Sequence, residues 1–151
     1  HMAKIGIISD THDVLRPQVM EILRTCDATV HAGDFTQEEI LDQLRLLGNV
    51  YVVKGNNDWM MRSPLQKVLR FEIEGLRFVM AHEKWDVPTD LADADVVIFG
   101  HSHQYFQEEI DGRLWLNPGS CGRRRFWTEL TMAVMYVENG RYYVERIDLE
   151  G

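Results

Sequence analysis

Five short stretches place acids, amides and imidazoles at the ends of apolar runs. They are Ser9-Asp10-Thr11-His12, Gly33-Asp34, Gly55-Asn56-Asn57-Asp58, Ala81-His82 and Gly100-His101-Ser102-His103. Imidazole is costly to desolvate without a partner. His101 and His103 lie two apart where the chain leaves the run Val96–Phe99, so both rings can project to one side. Taken singly, each stretch has an ordinary meaning. Asp10 is a helix cap, Gly33-Asp34 and Asn56 belong to turns, and His82 is a packed histidine. Taken together, each at the end of an apolar run, they point to one polar centre. The donors are two carboxylates (Asp10, Asp34), one amide (Asn56) and four imidazoles (His12, His82, His101, His103), with no cysteine. That mixture of oxygen and nitrogen suits Mn, Fe, Co, Ni or Zn better than Ca or Mg. Seven donors exceed what one catalytic ion takes from protein, so two ions sharing a carboxylate is the economical arrangement.

The elements that must position these residues alternate at first. Lys4–Ser9 reads as a buried strand. Leu15, Val19, Ile22, Leu23 and Cys26 follow at helical spacing, with Pro17 in the first turn and Asp13 as the expected N-cap. Ala28–Asp34 is a second strand. Thr36 and Glu39 fit a capping box ahead of Ile40, Leu41, Leu44 and Leu47, and Gly48 closes that helix. Val50–Val53 is a third strand. Strand–helix–strand–helix–strand implies a parallel sheet with right-handed crossovers. The later chain reads as antiparallel strands, with Glu74-Gly75, Asp111-Gly112 and Asn139-Gly140 as turns. The expected fold class is therefore α/β: two sheets packed face to face, with helices outside. In such sheets, sites form beyond the carboxyl ends of the strands. His31 lies within a strand and is expected to pack or to support a ligand rather than to be one.

The bulk numbers agree with an enzyme-sized core. The chain has 151 residues and is 45% hydrophobic, so residues 1–151 are expected to form one domain. His1-Met2 looks like the remnant of an expression tag. No apolar run approaches the roughly 20 residues of a membrane helix. A net charge of −8 disfavours general nucleic-acid binding. The two cysteines, Cys26 and Cys121, suit a reduced, cytoplasmic setting.

The combined pattern D-x-H, G-D, G-N-x-D, H and G-H-x-H resembles the calcineurin-like metallophosphoesterases. The short length and Asn117-Pro118-Gly119-Ser120 resemble the small prokaryotic phosphodiesterase subgroup of that superfamily. The resemblance implies a four-layer α/β/β/α sandwich and a binuclear centre. One ion would be held by Asp10, His12, Asp34 and His103, the other by Asp34, Asn56, His82 and His101, with Asp34 bridging. It implies a phosphodiesterase in which a nucleophile activated between two divalent ions, manganese first and Ni, Fe, Co or Zn as alternatives, attacks phosphorus in line. A phosphomonoesterase or nucleotidase on the same centre is the nearest alternative. A non-catalytic interaction scaffold of the same fold is disfavoured, because all seven ligand positions are filled. Partners would be a small phosphate ester and, as a candidate, a second copy of the chain, with no membrane.

Three positions depart from that family. Asn57 stands where many relatives carry a histidine that assists the leaving group. Lys84 follows His82 where many carry a second histidine, and is a candidate phosphate contact. Asp13 replaces a glycine. Asp58 is a candidate support for the ligands, and Arg123 of the Arg123–Arg125 run is a candidate substrate contact. Trp59, Met60, Met61, Trp85, Phe126 and Trp127 are candidates for the pocket wall or for a subunit contact.

Overall fold

The computed structural model describes residues 2–59, 61–122 and 129–149. Five strands form the first sheet: β1 (Ala3–Ile8), β2 (Ala28–His31), β3 (Asn49–Val52), β9 (Thr131–Glu138) and β10 (Arg141–Asp148), in the order β10-β9-β1-β2-β3. The second sheet holds β4 (Val68–Ile73), β5 (Leu76–Ala81), β6 (Val96–Ile98), β7 (Tyr105–Ile110) and β8 (Arg113–Pro118), in the order β4-β5-β6-β8-β7. As expected, β1, β2 and β3 pair in parallel, and their crossovers are the helices α1 (Pro17–Leu23) and α2 (Glu38–Arg45). The tight turns close hairpins: Asp111 and Gly112, like Asn139 and Gly140, have positive φ, the signature of a type I′ turn. The second sheet is less antiparallel than the sequence implied, because β5, β6 and β8 run parallel at its centre.

The inner faces meet in the main core. Ile5, Ile7, Val30, Ala133 and Met135 of one sheet face Phe78, Met80, Val96, Ile98 and Leu116 of the other. Both helices cover the outer face of the first sheet, where Val19, Leu23, Ile40, Leu41 and Leu44 pack on Ile8, Met132 and Val134. Each such aliphatic side chain contributes about 1.5–3 kcal/mol by leaving water. The outer face of the second sheet lacks a matching α-helical layer among the described residues. A short 3₁₀ turn (Lys84–Asp86) and the segment beyond it cover it instead, with Val87, Leu91 and Ala94 packed on Val79 and Val97. No helix among the described residues is long and apolar enough to cross a membrane.

Both expected helix caps are corrected. Arg16 and Gln37 occupy the N-cap positions, and neither makes a side-chain cap. Asp13 and Thr36 bond to each other instead, Thr36 Oγ1 donating to Asp13 Oδ1 at 2.5 Å. Their backbones lie in the loops after β1 and β2, both with positive φ.

Candidate metal centre

The carboxyl ends of the parallel strands converge. Pairing between β1 and β2 continues past the strands: Asp10 N donates to Gly33 O, His12 N to Asp34 O and Asp13 N to Phe35 O, each at 3.0 Å. That ladder sets Asp10 and His12 beside Asp34. From the second sheet, Gly100 N donates to His82 O at 2.8 Å, tying the exits of β5 and β6 together. Two glycines let these loops approach: a Cβ on Gly55 would collide with Asp34 Oδ1, and one on Gly100 with Ser9 Oγ. Asp10, His12, Asp34, His101 and His103 all have φ between 42° and 73°. Left-handed backbone at non-glycine residues costs about 1–3 kcal/mol each and clusters where function requires it.

Among the described residues, two Asp–His groups have donor atoms close enough to hold a metal: Asp10, His12 and His103, and Asp10, Asp34 and His82. Asp10 Oδ1 lies 3.5 Å from His12 Nε2, 3.3 Å from His103 Nε2 and 3.7 Å from His82 Nε2. Asp34 Oδ2 lies 3.5 Å from His12 Nε2 and 3.4 Å from His82 Nε2. Donors that share one ion at about 2.0–2.2 Å are about 3.0–3.6 Å apart, so all of these separations but the 3.7 Å one fit a shared cation. Asp10 Oδ1 and His12 Nε2 are buried without a hydrogen bond, an expense that a cation would relieve. The Asn56 carboxamide oxygen points at the same place. Turning the amide over would let its NH₂ donate to Asp34 Oδ2 at 3.1 Å and His82 Nε2 at 3.0 Å. With oxygen inward the amide faces only acceptors, an arrangement that a cation between them would satisfy.

The charges of the centre are coupled. Burial would raise the Asp10 carboxyl, but the attraction of the close His103, His12 and His82 imidazoles outweighs it and holds Asp10 well below the usual range. Burial likewise opposes ionisation of Asp34, and its bond to His82 holds it low. Burial would lower His82, yet the hydrogen bond to Asp34 and the charges of Asp10 and Asp34 push it up to about 9. His82 Nδ1 donates to Ala32 O at 2.7 Å, which aims Nε2 at the carboxylates.

The remaining expected site residues are placed as follows. Asp10 belongs to both groups, whereas the expected division gave it to one ion. His101 lies beside the groups rather than in them: its N–H donates to Asp10 Oδ2 at 3.2 Å, and its ring centroid is 5.3 Å from that of His82. Asn57, expected at the leaving-group position, is bonded to Asp34. Its N–H donates to Asp34 Oδ1 and its Nδ2 to Asp34 Oδ2, both at 2.9 Å, so it orients that carboxylate. Asp58 is buried and accepts from the N–H of Asp34, Thr36 and Gly55, each at 2.8 Å. Lys84 is turned outward: its Nζ lies 5.8–5.9 Å from the ring centroids of Phe99, Phe106 and Trp115. Arg123 lies outside the described residues, as do Met60, Phe126 and Trp127. His31 is buried, its Nδ1 accepting from Gly33 N at 2.9 Å and its Nε2 3.0 Å from Thr11 Oγ1. Gly33 N–H needs an acceptor, so the His31 proton sits on Nε2 and bonds Thr11. His31 thereby links the loops that carry Asp10, His12 and Asp34. The sequence signal for it was a polar ring inside an apolar strand.

A sandwich of two mixed sheets, with a buried Asp–His cluster at its strand ends, defines the class. The chain belongs to the calcineurin-like phosphoesterase superfamily, whose domain description matches residues 3–140. It is 35% identical to a probable metallophosphoesterase of Methanothermobacter thermautotrophicus, over 97% of this chain and 90% of that one. Among solved structures it is similar to an archaeal phosphodiesterase, with a TM-score of 0.77 and 27% identity over 97% of this chain and 99% of the other. Vacuolar protein sorting 29 of Cryptosporidium parvum shares the fold, with a TM-score of 0.80 at 19% identity over 99% of both chains.

Proposed function

We propose that the chain is a binuclear metal-dependent phosphodiesterase. The observation that supports this most is the buried cluster in which Asp10 and Asp34 each lie within 3.7 Å of two or more histidine nitrogens, with Asp10 Oδ1 lacking a hydrogen bond. Asp10, His12, Asp34 and His103 would hold one divalent ion. Asp34, Asn56, His82 and His101 would hold the other, with Asp34 bridging. Manganese is the first choice and Ni, Fe, Co or Zn the alternatives, given the mixed donor set. Bound there, the ions supply Lewis-acid polarisation of phosphoryl oxygens and a nucleophile at neutral pH.

The chain's own residues then do the positioning. Asn57 holds both oxygens of Asp34 in place, Asp58 holds the backbone beneath them, and Ala32 O fixes the tautomer of His82. None of these groups is a covalent nucleophile, and the substrate phosphate would be attacked in line. With Asn57 committed to Asp34 and unable to supply an imidazolium proton, activated esters with good leaving groups suit this centre best. A single soluble assay set tests the reading: hydrolysis of bis(4-nitrophenyl) phosphate and of 4-nitrophenyl phosphate, with and without added Mn²⁺. Metal-dependent turnover favouring the diester supports it. Turnover of the monoester alone makes the protein a phosphomonoesterase on the same centre.

A further inference from the structure

Trp85 stands at the rim of the candidate centre and is 71% exposed. Single exposed aromatics are common and mean little by themselves; the placement of this one is informative. Its ring centroid is 5.4 Å from that of His101, with the planes at 80°, and His101 in turn meets His82 at 5.3 Å and 82°. The indole therefore lies one ring beyond the candidate ligands. The turn that carries it is anchored on both sides. Asp86 N donates to Glu83 O at 3.0 Å and Val87 N to Lys84 O at 3.2 Å. Val87 packs into the small core over β5 and β6, and Lys84 reaches the other way, over Phe99, Phe106 and Trp115. The backbone under Trp85 is thus held, while most of its ring is open to solvent.

From this placement we propose that Trp85 forms a stacking wall for a flat aromatic substituent of the phosphate ester, such as a nucleobase. The inference rests on the phosphoesterase reading above and names its substrate class. A phosphate seated among Asp10, Asp34 and the histidines must project its ester groups outward, and Trp85 is a large apolar surface at that exit. Stacking on an aromatic side chain tolerates any base, because every base has a flat π-face. The net charge of −8 opposes a long polyanion. The substrate class is therefore a small diester of about one or two nucleoside units.

The test compares two ligands that differ only by the base. Adenosine 5′-monophosphate and ribose 5-phosphate are titrated calorimetrically into the Mn²⁺-loaded protein, its Trp85→Ala variant and its Trp85→Phe variant. The parent should bind the nucleotide about 5- to 150-fold more tightly than the sugar phosphate. Trp85→Phe should keep most of that ratio, and Trp85→Ala should bring it to within about twofold of unity. A parent with no preference, or an alanine variant with the parent's ratio, overturns the inference and leaves the phosphoesterase reading intact. An alanine variant that keeps the ratio but loses self-association makes Trp85 a subunit contact instead. If neither ligand binds and no diester is hydrolysed, the phosphoesterase reading fails and takes this one with it.

Discussion

Replacing Asp58 should damage the centre without removing any candidate ligand. Its carboxylate accepts three backbone N–H groups at 2.8 Å, two of them buried (Asp34, Gly55) and one part-buried (Thr36). Hydrogen bonds to a charged group are worth about 1.5–3 kcal/mol each. Three that share one carboxylate are not additive, so we take the low end for each. Asp58→Ala then costs about 4 kcal/mol, a large share of the roughly 5–15 kcal/mol that holds a domain together. Asp58→Asn is milder. Its remaining oxygen can serve Asp34 and Gly55, while its NH₂ would oppose the Thr36 N–H, a loss of about 1.5 kcal/mol. At about 2–4 °C per kcal/mol for a chain of this size, Tm should fall by about 8–16 °C for alanine and about 3–6 °C for asparagine. Circular dichroism melts of chelator-treated protein measure this apart from any metal. The alanine variant should also bind Mn²⁺ at least about tenfold more weakly, because the Asp34 backbone is no longer held. Melting within about 1 °C of the parent in both variants would refute the assignment of Asp58 as the support of this loop.

Other perturbations separate the parts of the site. Asp34→Ala removes a donor from both proposed groups, so diester hydrolysis should fall below detection even in excess Mn²⁺; full activity would sink the bridging assignment. Treatment with EDTA should abolish turnover while leaving the far-ultraviolet circular dichroism spectrum unchanged, since the sheets pack through an apolar core that needs no metal. A proton on His82, held up to about 9, competes with the metal; Mn²⁺ affinity should therefore rise with pH up to about 9 and level off only above it, and a flat profile by calorimetry would exclude that competition. Burial pushes the Cys121 thiol up to about 12, so it stays neutral at pH 8 and should resist iodoacetamide until the protein unfolds.

The strand ends were legible because aspartate, histidine and glycine are conspicuous after apolar runs. The turns were equally legible, since Asp111-Gly112 and Asn139-Gly140 satisfy positive φ cheaply. What stayed hidden depends on contacts distant in the chain. The sequence names Asp58 as a support for the ligands, but not the backbone groups it serves, up to 24 residues away. Asp13 and Thr36 carry the right chemistry for helix caps, and only the ladder between the loops after β1 and β2 shows that they bond each other. Asn57 could be read only as an amide where a histidine was expected; its bond to Asp34 spans 23 residues. The parallel run of β5, β6 and β8 was missed because β6 is three residues long and carries no directional mark. Lys84, two residues after His82, is named by the sequence as a phosphate contact; the aromatic rings near its Nζ come from residues 99, 106 and 115, which no local pattern joins to it.

The central claim is a centre of two ions that together hydrolyse a phosphodiester. It is tested most directly by titrating chelator-treated protein with Mn²⁺ while recording bound metal per chain and the rate of bis(4-nitrophenyl) phosphate hydrolysis on the same samples. The account expects two ions per chain, with turnover appearing only as the second site fills. Saturation at one ion with full turnover, or two bound ions with no hydrolysis under Mn, Ni, Fe, Co or Zn, would contradict it.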